Sequence, residues 1–215
     1  MENLTFTFGK FKDRTIQDVF KEDKGYIMWI IKQKWFKDKF IKHYQCCLIL
    51  LNPPESVNEN DIIIYTDGAC SGNGSNSAKA GIGIHFSKRN KIKFDDVSES
   101  FLPTTGQKVT NQRAELYAIL KALRITKEVT NHIIIYTDSE YSINCVVRWF
   151  ASWVSKNKVD EKKNVDLIRP IHQYYRANNF EFIHINSHTG LQDEHSLGNE
   201  EADRLATNGI NIKPS

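Results

Sequence analysis

Hydrophobic and polar positions follow one rhythm up to about residue 51 and another after residue 60. Leu4, Phe6 and Phe8 alternate with polar neighbours, which predicts a short strand over Leu4 to Phe11, with Gly9 near its end and a turn at Asp13-Arg14. Thr15 can cap a helix that carries Ile16, Val19 and Phe20. A second helical pattern holds Tyr26, Trp29, Ile30 and Ile31, and a lysine-rich third holds Phe36, Phe40 and Tyr44. Beyond residue 60, β-branched Ile62, Ile63 and Ile64 mark a strand from Asp61 to Asp67, followed by a glycine-rich loop. Ala80 to Phe86 and Lys91 to Phe101 read as two further strands of a meander. Thr110 to Lys127 has helical spacing through Ala114, Ile119 and Leu123, and Asn131 to Thr137 is a fourth strand. Ser139 to Trp153 and Val165 to Asn178 are helical, separated by a basic loop from Lys156 to Lys163. Phe180 to Asn186 is a fifth strand, and Asn199 to Asn208 a last helix. This order predicts an α/β domain, a five-stranded mixed sheet flanked by helices.

Between the two rhythms, Asn52 to Asn60 is polar, holds a Pro-Pro pair and lacks periodicity, so it reads as a linker. The expected organisation is a small basic module over 1–51, a linker over 52–60, the α/β domain over 61–210 and a tail over 211–215. Charge sharpens the division. Residues 1–50 carry ten Lys/Arg against six Asp/Glu, a balance of +4, whereas the remaining 165 residues carry nineteen against twenty, a balance of −1. A basic head on a nearly neutral body points to an anionic partner, with a solvated lysine-rich helix face as the bland alternative. No apolar run approaches the roughly 18 residues a bilayer span needs, so no membrane partner is expected. The four cysteines show neither a CxxC pair nor zinc-ligand spacing, and the N-terminus has no basic start followed by an apolar run. The expectation is a soluble, intracellular monomer.

Two strands end alike, Ile64-Tyr65-Thr66-Asp67 and Ile135-Tyr136-Thr137-Asp138. Ligands of α/β sheets bind beyond the carboxyl ends of the strands. If the two strands are adjacent and parallel, two carboxylates stand side by side, an arrangement that is costly without a cation between them. Oxygen ligands without nearby Cys or His pairs suit a hard cation, Mg²⁺ or Mn²⁺. The competing reading makes Asp67 and Asp138 turn or helix-cap residues, as Asp-Gly and Asp-Ser favour.

Four segments in order resemble the type 1 ribonuclease H family across residues 61–210: Tyr65-Thr66-Asp67-Gly68-Ala69-Cys70-Ser71-Gly72-Asn73-Gly74, Thr110-Asn111-Gln112-Arg113-Ala114-Glu115-Leu116, Tyr136-Thr137-Asp138-Ser139, and Gly198-Asn199-Glu200-Glu201-Ala202-Asp203-Arg204-Leu205-Ala206. The resemblance implies the ribonuclease H-like fold and an endonuclease that cuts the RNA strand of an RNA–DNA hybrid with two metal ions, leaving 5′-phosphate and 3′-hydroxyl ends. It implies Asp67, Glu115, Asp138 and Asp203 as metal-binding carboxylates. Taken bare, Glu115 and Asp203 read as exposed positions on helix faces. The family's assisting histidine falls at His188, in Ser187-His188-Thr189-Gly190, with His195 in the longer following loop as the second candidate. A non-catalytic hybrid-binding protein on the same fold is the alternative.

The same resemblance implies that Cys70, Gly72, Asn73, Asn111 and Gln112 read 2′-hydroxyls, the group that distinguishes RNA from DNA locally. Lys108, Thr110 and Asn164 match a DNA phosphate pocket, with Lys108 where some members have arginine. Tyr141, Trp149 and Trp153 match a channel against DNA sugars, although aromatics at that spacing also suit a core-facing helix stripe. Phe8-Gly9-Lys10-Phe11-Lys12-Asp13-Arg14-Thr15-Ile16, with Tyr26 and Trp29, looks like a short module found beside some exonucleases. Auxiliary nucleic-acid binding is its expected role.

Overall fold

The computed structural model of the protein describes residues 4–51, 58–104, 106–177, 180–187 and 193–213. The chain forms two compact units, residues 1–58 and 59–215.

In the first unit, Phe6, Phe11, Ile16, Val19, Ile27, Ile30, Phe36 and Cys47 are buried together. The expected strand over Leu4 to Phe11 is replaced by a tight loop that folds back on itself. Its one isolated bridge joins Thr5 to Thr15, and Gly9 and Asp13 turn the chain with φ of +72° and +63°. The alternation of Phe6 and Phe8 reflects which rings reach the core rather than a ladder. Thr15 caps α1 (Ile16–Glu22) through a bond from the Asp18 amide, and α2 (Lys24–Ile30) follows under an Asp23 cap. The expected third helix is two, α3 (Lys34–Lys39) and α4 (Ile41–Leu51), broken where Phe40 leaves helical geometry. The break brings the Phe40 ring to 4.5 Å from that of Phe8.

The second unit is a five-stranded mixed sheet in the order β3-β2-β1-β4-β5, made of β1 (Ile62–Ser71), β2 (Lys79–Phe86), β3 (Val97–Phe101), β4 (Ile133–Thr137) and β5 (Phe180–His184). β1 runs antiparallel to β2 and parallel to β4, the outer pairs continuing each sense. α5 (Asn111–Ile125) and α8 (Val165–Ala177) cover one face. α9 (Glu194–Gly209) covers the other, laid on β1, β2 and β3. α6 (Glu140–Ile143), a π-helical stretch (Asn144–Trp149) and α7 (Phe150–Ser155) form one continuous helical run.

Three boundaries differ from expectation. β3 starts at Val97 rather than Lys91, because the loop before it is tied down by side chains: Asn90 both accepts from the Ile63 amide and donates to the Ile63 carbonyl, and Asp96 accepts from the Phe86 amide. β1 continues four residues past Asp67 in its pairing with β2. α9 begins at Glu194, five residues early, under an Asp193 cap that accepts from the His195 and Ser196 amides. Gly198 is thus inside the helix, and its bare Cα lets the Tyr65 ring lie where a Cβ would stand 2.5 Å away.

Candidate active site

Asp67 and Asp138 reach the same level of the sheet because β1 and β4 pair in register, Tyr65 opposite Tyr136. β4 stops at Thr137 while β1 runs on to Ser71, so Asp67 borders the notch that the shorter strand leaves. Two glycines bring the helices in. A Cβ on Gly68 would stand 2.2 Å from the Glu115 amide nitrogen, so α5 can pass directly over β1 and deliver Glu115 beside Asp67. Gly83 pairs with Asp67 across β1 and β2, and a Cβ there would stand 2.0 Å from the Ala202 carbonyl. That close approach seats α9 so that Asp203, the residue after Ala202, faces the same notch.

All four carboxylates line one cavity of about 310 Å³, together with Cys70, Asn111, Ser187 and Asn199. Burial pushes the Asp67 carboxyl up to about 8, and the neighbouring charges of Asp138, Asp203 and Glu115 push the same way, against a hydrogen bond from the Gly68 amide. Burial also raises Glu115, again with Asp138 adding to it. Glu115 is held at both oxygens, by Asn111 Nδ2 at 2.8 Å and Ser139 Oγ at 2.5 Å. The same Ser139 hydroxyl accepts from the Ser142 amide and so caps α6. Among the described residues, no three His, Cys, Asp or Glu side chains stand close enough as placed to close on one ion. Clustered carboxylates that hold each other's protons are nonetheless the donor chemistry a hard dication takes. Asn199 Oδ1, buried and without a hydrogen-bond partner, lies on the same wall.

A second cluster adjoins the first along α5. Arg113 is buried and grips Asp166 through both terminal nitrogens, at 2.9 and 2.6 Å, while also bonding Gln107 and Asn164. Asn164, at φ +62°, donates on to the Tyr141 hydroxyl at 3.0 Å. Tyr141, Trp149 and Trp153 form a row with ring centroids 6.5 and 6.2 Å apart, and Lys162 lies over Trp153. The row is part core and part surface: Trp149 is 42% exposed, whereas Tyr141 and Trp153 pack on the sheet core. Thr110 caps α5 and so borders this cluster.

The remaining expected contacts divide. Asn73 is placed, accepting from the Asn111 amide at 3.1 Å, and Gly72 forms the turn before it at φ +65°. Gln112 and Lys108 are exposed and stay outside the cavity lining. His188 lies outside the described residues. His195 is not on a free loop: it sits in the first turn of α9, stacked on Tyr136 at 4.3 Å, with Nδ1 at 3.0 Å from the Tyr65 hydroxyl. Burial lowers its pKa. Ser139, Arg113 and Asn199 stand in the motif segments, yet their buried partners lie far off in sequence.

The family model described as RNase H matches residues 59–211, most of the chain. The chain belongs to the RNase H family. Mouse Ribonuclease H1 is 33% identical over 154 residues, 69% of this chain and 50% of the relative. The Ribonuclease H of Orientia tsutsugamushi is 34% identical over 156 residues, 71% of this chain and 83% of the relative. The chain thus spans about half the length of the mouse relative and most of the bacterial one. Its RNase H fold also matches the solution structure of the PFV RNase H domain, with TM-score 0.56 at 24% identity over 69% of this chain and 93% of that one. The crystal structure of the prototype foamy virus protease-reverse transcriptase matches at TM-score 0.62 and 23% identity, over 76% of this chain and 22% of that one. Residues 6–34 match a different model, the exodeoxyribonuclease X-like C-terminal family. Among the described residues, no helix is long and apolar enough to cross a membrane.

Proposed function

We propose that this RNase H family member is an endonuclease that hydrolyses the RNA strand of RNA–DNA hybrids with two Mg²⁺ ions, for which Mn²⁺ can substitute, leaving 5′-phosphate and 3′-hydroxyl ends. The observation that carries the proposal is that Asp67, Glu115, Asp138 and Asp203, from two strands and two helices, line one cavity. Asp67 and Asp138 would hold both ions, Glu115 would complete the shell of one, and Asp203 would serve the side of the attacking water. Bound there, the ions supply a water activated at neutral pH and charge neutralisation at the phosphate and the leaving oxygen.

The chain's own groups do the rest. Ser139 and Asn111 hold Glu115 in one rotamer, so the carboxylate is oriented before substrate arrives. Cys70 and Asn111, on the cavity wall, stand where an RNA 2′-hydroxyl would be read, with Asn73 bracing the Asn111 backbone. The Arg113 network fixes Asn164 beside Tyr141, which supports a DNA-strand phosphate site at Lys108, Thr110 and Asn164 and a sugar channel at Tyr141, Trp149 and Trp153. His188 is proposed as the assisting proton carrier.

A panel of end-labelled duplexes in Mg²⁺ tests the proposal. The hybrid should be cut within its RNA strand, circular or end-blocked hybrid included, while DNA–DNA and RNA–RNA duplexes stay intact. A chain that binds hybrid tightly but cuts none of the panel would be a hybrid-binding protein instead.

A further inference from the structure

The first unit carries a feature that hybrid cleavage does not use. Two of its tryptophans face solvent: Trp29 is 52% exposed and Trp35 is 41% exposed. Each indole is braced from behind. Trp29 lies 5.6 Å from Tyr26, and Trp35 lies 5.2 Å from Phe8, while Tyr26 and Phe8 both pack edge-on against the buried Phe6 ring. Trp29 and Trp35 thus end a single row of rings anchored in the core. Only the hinge between α2 and α3 separates them in sequence, and it is fastened by the Gln33 amide, which donates to the Trp29 carbonyl at 3.1 Å. Exposed indoles on rigid supports lose little freedom when a flat partner covers them.

The charges around the row have one sign in excess. Lys32 lies in the hinge and Lys34 opens α3, both exposed. Lys10 and Lys12 sit on the Gly9 turn between Phe8, which touches Trp35, and Phe11, which touches Tyr26. The turn crosses beside Tyr26 so closely that a Cβ on Gly9 would stand 3.0 Å from the phenol oxygen. Lys10 reaches Asp23 at 3.4 Å, and Asp13 closes the turn. Lys12, Lys32 and Lys34 form no ion pair among the described residues.

We infer that the ring row ending in Trp29 and Trp35, with Lys12, Lys32 and Lys34 beside it, is a binding surface for single-stranded nucleic acid. A flat π-face flanked by cations suits a polyanion whose bases are free to stack. An intact duplex keeps its bases stacked on each other, so two exposed indoles have no base face to cover along its length. The surface would hold an unpaired stretch, such as the single strand flanking a hybrid, and it does so whether or not the second unit cuts.

The test uses the full chain and a fluorescein-labelled dT₂₀ oligonucleotide, read by anisotropy. Exchanging Trp29→Ala together with Trp35→Ala should weaken binding about 10-fold or more. Trp29→Phe, which keeps a ring on the Tyr26 support, should retain most of the affinity. Lys32→Gln with Lys34→Gln should leave the fold intact and reduce the slope of log affinity against log salt by about one. Cleavage of a short blunt hybrid should be unaffected by all four exchanges, so failure of this surface and failure of the catalytic proposal are read separately. Unchanged dT₂₀ affinity and salt slope in the folded lysine variant would overturn the inference. So would an effect of the tryptophan exchanges confined to self-association or protein binding.

Discussion

Gly68 and Glu115 touch backbone to backbone: the position of a Cβ on Gly68 falls 2.2 Å from the Glu115 nitrogen and 2.5 Å from the Ala114 carbonyl carbon. Neither neighbour is a side-chain end that can swing away, so any residue larger than glycine at 68 must push α5 off β1. Gly68→Ala is expected to cost on the order of 1–3 kcal/mol in urea unfolding. A displacement of Glu115 by about 1 Å should reduce hybrid cleavage roughly 100-fold. Gly83→Ala, against the Ala202 carbonyl at 2.0 Å, should act in the same way through Asp203. Wild-type cleavage by either variant would separate these contacts from the chemistry.

The raised Asp67 carboxyl makes stability depend on pH with a definite sign. Between its ordinary 3.8 and about 8, the folded protein keeps a proton that the unfolded chain has lost. The folded state binds more protons across that window, so this group's effect is to lower stability as pH rises. In EDTA at pH 8, Asp67→Asn should be more stable than wild type by on the order of 1–3 kcal/mol, because its buried amide needs no charge. Near pH 4 the two should converge. Added Mg²⁺ should raise the melting temperature of the wild type and leave that of Asp67→Asn nearly unchanged. Chemical unfolding at both pH values reads the sign directly.

Ser139 serves the helix and the carboxylate with one hydroxyl. Ser139→Ala should lose about 1 kcal/mol through the α6 cap, and it frees Glu115 from one of its two hydrogen bonds. Metal affinity, measured by Mn²⁺ titration, should fall about 10-fold. Ser139→Thr restores the hydroxyl and should recover most of both effects.

Arg113 is buried, and Asp166 supplies its charge balance. Asp166→Ala leaves the guanidinium with only the neutral oxygens of Gln107 and Asn164. The expected loss is about 3 kcal/mol in denaturant unfolding. Affinity for hybrid should weaken as well, since Asn164 is released from the network, whereas cleavage under saturating substrate should fall less.

The repeated Tyr-Thr-Asp endings made Asp67 and Asp138 legible as a pair, because register follows from the parallel β1 and β4 ladder. Glu115 and Asp203 were not legible from local pattern, since a glutamate or aspartate on a helix looks solvated until the sheet beneath is known. Only their motif segments marked them. Gly198 misled the placement of α9: a glycine reads as a helix boundary, yet here it is spent on the Tyr65 ring, and the true start is the Asp193 cap. That shift moved His195 from a loop onto the Tyr136 ring. Phe6 and Phe8 mimicked a strand because a loop wrapped around a small core also alternates, and Gly9 and Asp13 supplied turns that periodicity does not show.

Asp138→Asn mixed with labelled hybrid tests the central claim most directly. Hybrid is first bound in EDTA, and Mg²⁺ is then added to start the reaction. Wild type should cut the RNA strand upon addition, and the variant, with hybrid affinity within a few-fold of wild type, should leave it whole. Cutting by the variant at the wild-type rate, or an inert wild type at saturating Mg²⁺, would contradict the account.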